Sequence, residues 1–233
     1  GTDGVFEYQW DPRTEGLGSL QLTVKAPAAQ PQVIPMQSGG RIVWTGKANQ
    51  TACRLERLAG APAAVCRKSL LVADKPVNLT MEARLIGKAL AMQVKCDAPC
   101  IASMQAPEFG PVLRRRQVPV PYYGSVTYLA REGVFANRFL DWTKSAASRH
   151  SDATAYYDPL TDGTRNRLSE RVLYAAAWHL AEVLPNIPNP PSPFLREVGG
   201  KIVLDVWGGR YVDIAEKLRD LHSYGLRNCL VLI

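Results

Sequence analysis

Two regions of the 233-residue sequence set a carboxylate beside an aromatic ring, a pairing that suits sugars. Asp205 and Trp207 lie two apart in Lys201-Ile202-Val203-Leu204-Asp205-Val206-Trp207. On an extended strand they share one face, while Ile202, Leu204 and Val206 share the other. A carboxylate accepts hydrogen bonds from hydroxyls, and an indole covers the C–H side of a sugar ring. Asp205 comes just before Gly208-Gly209, near the C-terminal end of its strand, where α/β barrels keep their active-site groups. It reads either as a substrate contact or as an acid paired within a barrel mouth. Asp141-Trp142 and Tyr156-Tyr157-Asp158 repeat the pairing on turn-rich segments. They form either a carbohydrate platform or a packed interface.

Other chemistries lack their residues. Gly208-Gly209 precedes a helix but is followed by no Lys-Ser or Lys-Thr, so it reads as a tight turn and not a phosphate cradle. Ser145 and Ser192 have no nucleophile-elbow context. His150, His179 and His222 are far apart in the chain, and no four-ligand metal spacing appears. Nothing calls for a metal or a cofactor. A glycosidase needs two carboxyl groups flanking the scissile bond, and only Asp205 occupies a suitable strand end. A second acid would have to lie outside this sequence.

The net charge of +7 comes from scattered residues. The one tight cluster, Arg114-Arg115-Arg116, has no aromatic residues interleaved and reads as a solvated basic face, so no nucleic-acid partner is expected. No apolar run reaches the ~18 residues of a spanning helix, and no membrane partner is expected. Gly1-Thr2-Asp3-Gly4 has no signal-peptide pattern. Cys53 and Cys66 flank a hairpin turning at Ala59-Gly60-Ala61-Pro62, and Cys96 and Cys100 bracket Asp97-Ala98-Pro99. Two disulfides there would fit a secreted or periplasmic setting; buried free thiols would fit the cytosol.

The elements that must position these residues fall into two patterns. From Val5 to about Arg116, short alternating runs are broken by Gly, Pro and polar turns, as in Ser19–Val24, Arg41–Thr45, Val77–Leu85 and Ala89–Lys95. Ser125–Ala130 and Gly133–Phe139 form a further hairpin, followed by a long polar surface loop carrying Ser145, Ser148, His150 and Ser151. The whole predicts an antiparallel β-sandwich over residues 1–184. Near its end, Leu168, Val172, Ala176 and Leu180 fit a helical face, whereas Val172, Tyr174 and Ala176 fit a strand face. Residues 185–200 open with Pro185-Asn186-Ile187-Pro188-Asn189-Pro190-Pro191-Ser192-Pro193, a stiff proline-rich linker. Residues 201–233 then read strand, helix, strand. Ile214, Leu218 and Leu221 share the helix face, and Gly225 sits at the helix C-terminus. Asn228–Ile233 is a continuous apolar strand of the kind buried in a parallel sheet. A single βαβ unit leaves apolar faces open, so the expectation is one unit of an incomplete (β/α)8 barrel.

With those elements in place, the chain resembles glycoside hydrolases that carry a β-sandwich before their barrel, such as the α-galactosidase-like and endo-α-N-acetylgalactosaminidase-like groups. The resemblance rests on Phe139-Leu140-Asp141-Trp142, Thr161-Asp162-Gly163-Thr164-Arg165-Asn166, Glu170-Arg171, the proline segment from Leu184 to Pro193, and Asp205-Val206-Trp207-Gly208-Gly209. It selects a strand over Glu170–Ala177, then a short helix to Leu184. It implies a carbohydrate-active parent whose principal carboxylates lie on later barrel strands. This length of chain would then be the non-catalytic sandwich region, inactive alone, with Asp205, Trp207, Asp141, Trp142 and Tyr157 as substrate contacts. Its partners would be carbohydrate and either the remainder of the barrel or a second copy. Two other readings stand beside it: a stand-alone lectin-like module, and an interaction protein pairing through its final strand.

Overall fold

The structure, a computed structural model, describes residues 5–25, 31–35, 40–60, 63–107, 115–120, 124–151, 153–184 and 192–232. The turn residues Ala61 and Pro62, Arg114 of the basic cluster, residues 185–191 of the proline-rich segment and Ile233 lie outside them. The chain divides into two compact units, Gly1–Pro185 and Asn186–Ile233.

The first unit is antiparallel β-structure. Its strands are β1 (Val5–Asp11), β2 (Ser19–Lys25), β3 (Gln32–Pro35), β4 (Arg41–Trp44), β5 (Ala48–Arg57), β6 (Ala63–Val72), β7 (Lys75–Ile86), β8 (Ala89–Cys96) and β9 (Ile101–Gln105). β10 (Arg115–Val120), β11 (Gly124–Leu129), β12 (Val134–Leu140), β13 (Arg149–Ser151), β14 (Thr154–Tyr156) and β15 (Ser169–Ala177) follow. The largest sheet has eight strands in the order β10-β11-β12-β15-β8-β7-β6-β5. A three-stranded sheet, β1-β2-β3, and a four-stranded sheet, β13-β14-β9-β4, share one core with it.

That core follows from two-residue alternation. Val77, Leu79, Met81 and Ala83 of β7 point inward, as do Leu90, Met92, Val94 and Cys96 of β8. Leu20, Leu22 and Val24 of β2 and Ile101 and Met104 of β9 join the same cluster. The inward row of β15 is Glu170, Val172, Tyr174 and Ala176, and that of β6 runs Cys66, Lys68, Leu70 and Val72. Two charged residues thus occupy core positions.

Two local expectations are corrected. The polar segment after β12 is no simple surface loop: a 3-10 turn covers Trp142–Lys144, and β13 pairs with β14 and through it with β9. After β15 the chain makes a single 3-10 turn, Leu180–Glu182, in place of a helix, because Val183 and Leu184 turn back onto Val126 and Ala177 of the sheet. The cysteines are free. Register sets Cys53 opposite Lys68 and Cys66 opposite Leu55, so the two cysteines are diagonal neighbours with sulfurs 3.4 Å apart. Cys96 and Cys100 are 4.0 Å apart. Both separations exceed the ~2.05 Å of a disulfide.

In the second unit, β16 (Ile202–Asp205) and β17 (Cys229–Leu232) pair in parallel across a helix. A one-turn helix α1 (Leu195–Val198) precedes them, and the crossover helix is α2 (Tyr211–Ser223). Ile214 is its buried anchor. Leu226 N donates to Leu221 O and Gly225 N to His222 O, a paired C-terminal motif that requires the positive φ of Gly225, +97°. The apolar strands are not enclosed within the unit: Ile202 and Val203 are exposed.

Gly18 closes the β1–β2 hairpin at φ +92°, and a Cβ there would lie 2.6 Å from Asp11 O and 2.7 Å from Pro12 Cα. Gly163 is also left-handed, at φ +78°, but open. Gly18→Ala is expected to cost at least ~3 kcal/mol, because backbone must move, whereas Gly163→Ala should cost about 1 kcal/mol. Urea unfolding of the two variants measures the difference.

Candidate functional site

The residues singled out in the sequence separate into buried and open sets. Asp141 is 2% exposed and Tyr157 is 0% exposed. Trp142, between them in the chain, stands on its 3-10 turn at 53% exposure. Of the two readings, platform or packing, Asp141 and Tyr157 follow the second, because both are committed to internal bonds.

Those bonds gather at the start of β15. Asp141 Oδ2 accepts from Arg171 Nε at 2.8 Å and also from Arg171 Nη2, while Oδ1 accepts from Thr143 Oγ1 at 2.5 Å. Asp141 N donates to Arg171 O at 2.8 Å, so backbone and side chain are clamped together. Arg171 points away from the core, as an outward β15 position must, and its neighbour Glu170 points in.

Glu170 is 0% exposed. Its Oε1 accepts from the Tyr157 hydroxyl and from Ser145 Oγ at 2.7 Å. Tyr157 Oη accepts from Ser169 N at 3.1 Å. Ser145 Oγ also accepts from Ala147 N at 3.0 Å and lies 2.8 Å from His150 Nε2. Glu170 Oε2 has no hydrogen-bond partner, and His150 Nε2 is 4.0 Å from it. Burial pushes the Glu170 carboxyl above its ordinary 4.5, against the opposing pull of Tyr157, Ser145 and His150. Burial likewise pushes the Tyr157 phenol up, and the adjacent carboxylate adds to it.

The juxtaposition of Ser145, His150 and Glu170 was not legible in the sequence, since it depends on β13 folding back beside β15. With the Ser145 hydroxyl donating to Glu170, the arrangement differs from a nucleophile–base pair. A catalytic serine gives its hydrogen to the histidine. Ser145 has one hydrogen, which goes to Glu170 Oε1; its oxygen accepts from Ala147 N–H, and His150 Nε2 lies 2.8 Å away in a role set by its tautomer. The network thus ties the segment 145–158 to the large sheet. Arg149 supports it from outside, donating to Asp158 Oδ2 at 2.8 Å with its guanidinium 3.9 Å from the Tyr156 ring centre.

The remaining pair is in the second unit. Asp205 ends β16 and is exposed, and Trp207 lies just beyond it at 90% exposure. Gly208 and Gly209 follow at φ +80° and +111°, turning the chain into α2. An acceptor carboxylate and an uncovered indole therefore stand near one strand exit. Among the described residues no group of three His, Cys, Asp or Glu side chains could hold a metal, and no helix is long and apolar enough to cross a membrane. No protein family and no curated protein matches the chain.

Folding favours a protonated Glu170, since its folded pKa is raised. Its contribution is fully present below the ordinary glutamate value and is lost as pH rises through the elevated one. Glu170→Gln keeps the shape and removes the titration. The variant is expected to flatten the decline in melting temperature across that window, as a pH series of thermal melts will measure.

Proposed function

We propose that this chain is the non-catalytic β-sandwich region of a carbohydrate-active enzyme of the glycoside-hydrolase type, joined to a βαβ unit of a (β/α)8 barrel and silent in hydrolysis by itself. The observation that carries the reading is the exit of β16, where Asp205 and the uncovered Trp207 stand at the end of a parallel strand. Ligands of α/β folds bind at such carboxyl ends. Ile202, Val203, Tyr211 and Val212 are exposed on the same unit, which supports a covering layer from the remainder of the barrel or from a second copy. In a retaining or inverting glycosidase, Asp205 would be a substrate contact, with the acid pair supplied by other strands.

A lectin-like module is the second reading, favoured by Trp142, whose indole is open while Asp141 beneath it is clamped to Arg171. Glycan-array binding separates the two. The enzyme reading expects weak oligosaccharide retention that falls about tenfold in Trp207→Ala and is unchanged in Trp142→Ala. The lectin reading expects the reverse, and retention of no glycan rejects both.

The setting we propose is secreted or periplasmic. Its support is the closeness of the paired thiols, 3.4 Å for Cys53 and Cys66 and 4.0 Å for Cys96 and Cys100. In an oxidising compartment both pairs would close. Protein exported to a bacterial periplasm, then denatured without reductant, is expected to expose only Cys229 to a thiol reagent. Five reactive cysteines would reject the oxidised setting.

A further inference from the structure

Lys68 occupies an inward position of β6, opposite Leu79 of β7, and is 2% exposed. Its Nζ donates to Thr14 O at 2.6 Å and Gly16 O at 3.2 Å, both neutral carbonyls of the β1–β2 hairpin loop. An ammonium has three hydrogens, so one remains after those two bonds. Burial lowers its pKa from the ordinary 10.5, against the opposing electrostatic pull of Cys53, Cys66, Asp11 and Glu15. A buried cation held by carbonyls alone is costly unless an anion reaches it.

Lys68 lines a cavity of 360 Å³ between β4, β6 and the hairpin loop. That volume falls within the ~300–1,000 Å³ of small-molecule sites. Arg41, an exposed residue at the start of β4, is also among its lining residues, with Trp44 and Leu70 as apolar members and Gln50 and Glu15 as polar ones. The two cations outnumber the one carboxylate. An indole beside convergent hydrogen-bonding groups suits a sugar ring, and the surplus positive charge selects one that carries a carboxylate.

We propose that this cavity binds a uronate, with the carboxylate on Lys68 and Arg41 and the ring against Trp44. The assignment rests on the carbohydrate reading above but uses a different surface, far in sequence from Trp207. No covalent step is involved: the site recognises and does not react.

Calorimetric titration of the full 233-residue chain at low salt tests it, with glucuronate as probe, glucose as the neutral ring and cyclohexanecarboxylate as an acid without hydroxyls. Glucuronate is expected to bind at least about tenfold more tightly than either control, the worth of one charge-assisted hydrogen bond. Lys68→Met and Arg41→Gln should each remove most of that preference. Arg41 is exposed, so its variant reports even if Lys68→Met fails to fold. Equal binding of glucose and glucuronate, or undiminished glucuronate binding in Arg41→Gln, overturns the site. Equal binding of cyclohexanecarboxylate overturns its assignment to a sugar. Loss of the site with Trp207-dependent glycan retention intact rejects the cavity alone. Glucuronate binding without such retention keeps the cavity and rejects the Trp207 reading.

Discussion

The two-residue period of a strand fixes which side chains enter the core, whatever their chemistry. The eight-stranded sheet obeys it along β6, β7, β8 and β15, and the price is two inward charges, Lys68 and Glu170. Shifting either strand by one residue would free the charge and expose a row of Val, Leu, Met or Tyr, a far larger loss. The sheet therefore keeps its register, and the surrounding chain folds to serve the buried ions. The β1–β2 hairpin loop brings the Thr14 and Gly16 carbonyls to Lys68. The segment after β12 brings Tyr157, Ser145 and His150 to Glu170.

The two sites differ in how far they are satisfied. Around Glu170 the partners are side chains of the same unit, and one carboxylate oxygen alone lacks a hydrogen bond. Burial, which disfavours the charged carboxylate, outweighs the opposing pull of Tyr157, Ser145, His150 and the Ala146 backbone in setting the pKa. Around Lys68 the hydrogen-bond partners are two backbone carbonyls, and the residue lines a cavity. The first arrangement fastens a loop; the second borders a cavity.

The second unit is built on another principle. Its parallel strands and single crossover helix obey local signals, from the glycine turn at Gly208 and Gly209 to the motif at Gly225. Yet only Ile214 of α2 is buried, and Trp207, Tyr211 and Tyr224 stand in solvent. Local codes suffice to shape such a unit, but enclosing its apolar faces takes a neighbouring layer.

Alternation and turn residues in the sequence determined the antiparallel character of the first unit, the β11–β12 hairpin and the terminal βαβ order, because these depend on neighbours within a few residues, whereas the periodicity over β15 fitted helix and strand alike. An inward Lys68 and Glu170 were legible in principle, as charges on otherwise apolar rows. What covers them was not. Ser145 meets Glu170 across 25 residues and Lys68 meets Thr14 across 54. Asp141 and Tyr157 look like surface groups in a turn-rich stretch, but long-range pairing of β13 and β14 with β9, and the Arg171 clamp, bury them. Contacts of that kind are set by how whole sheets pack, a property that no local window of sequence contains.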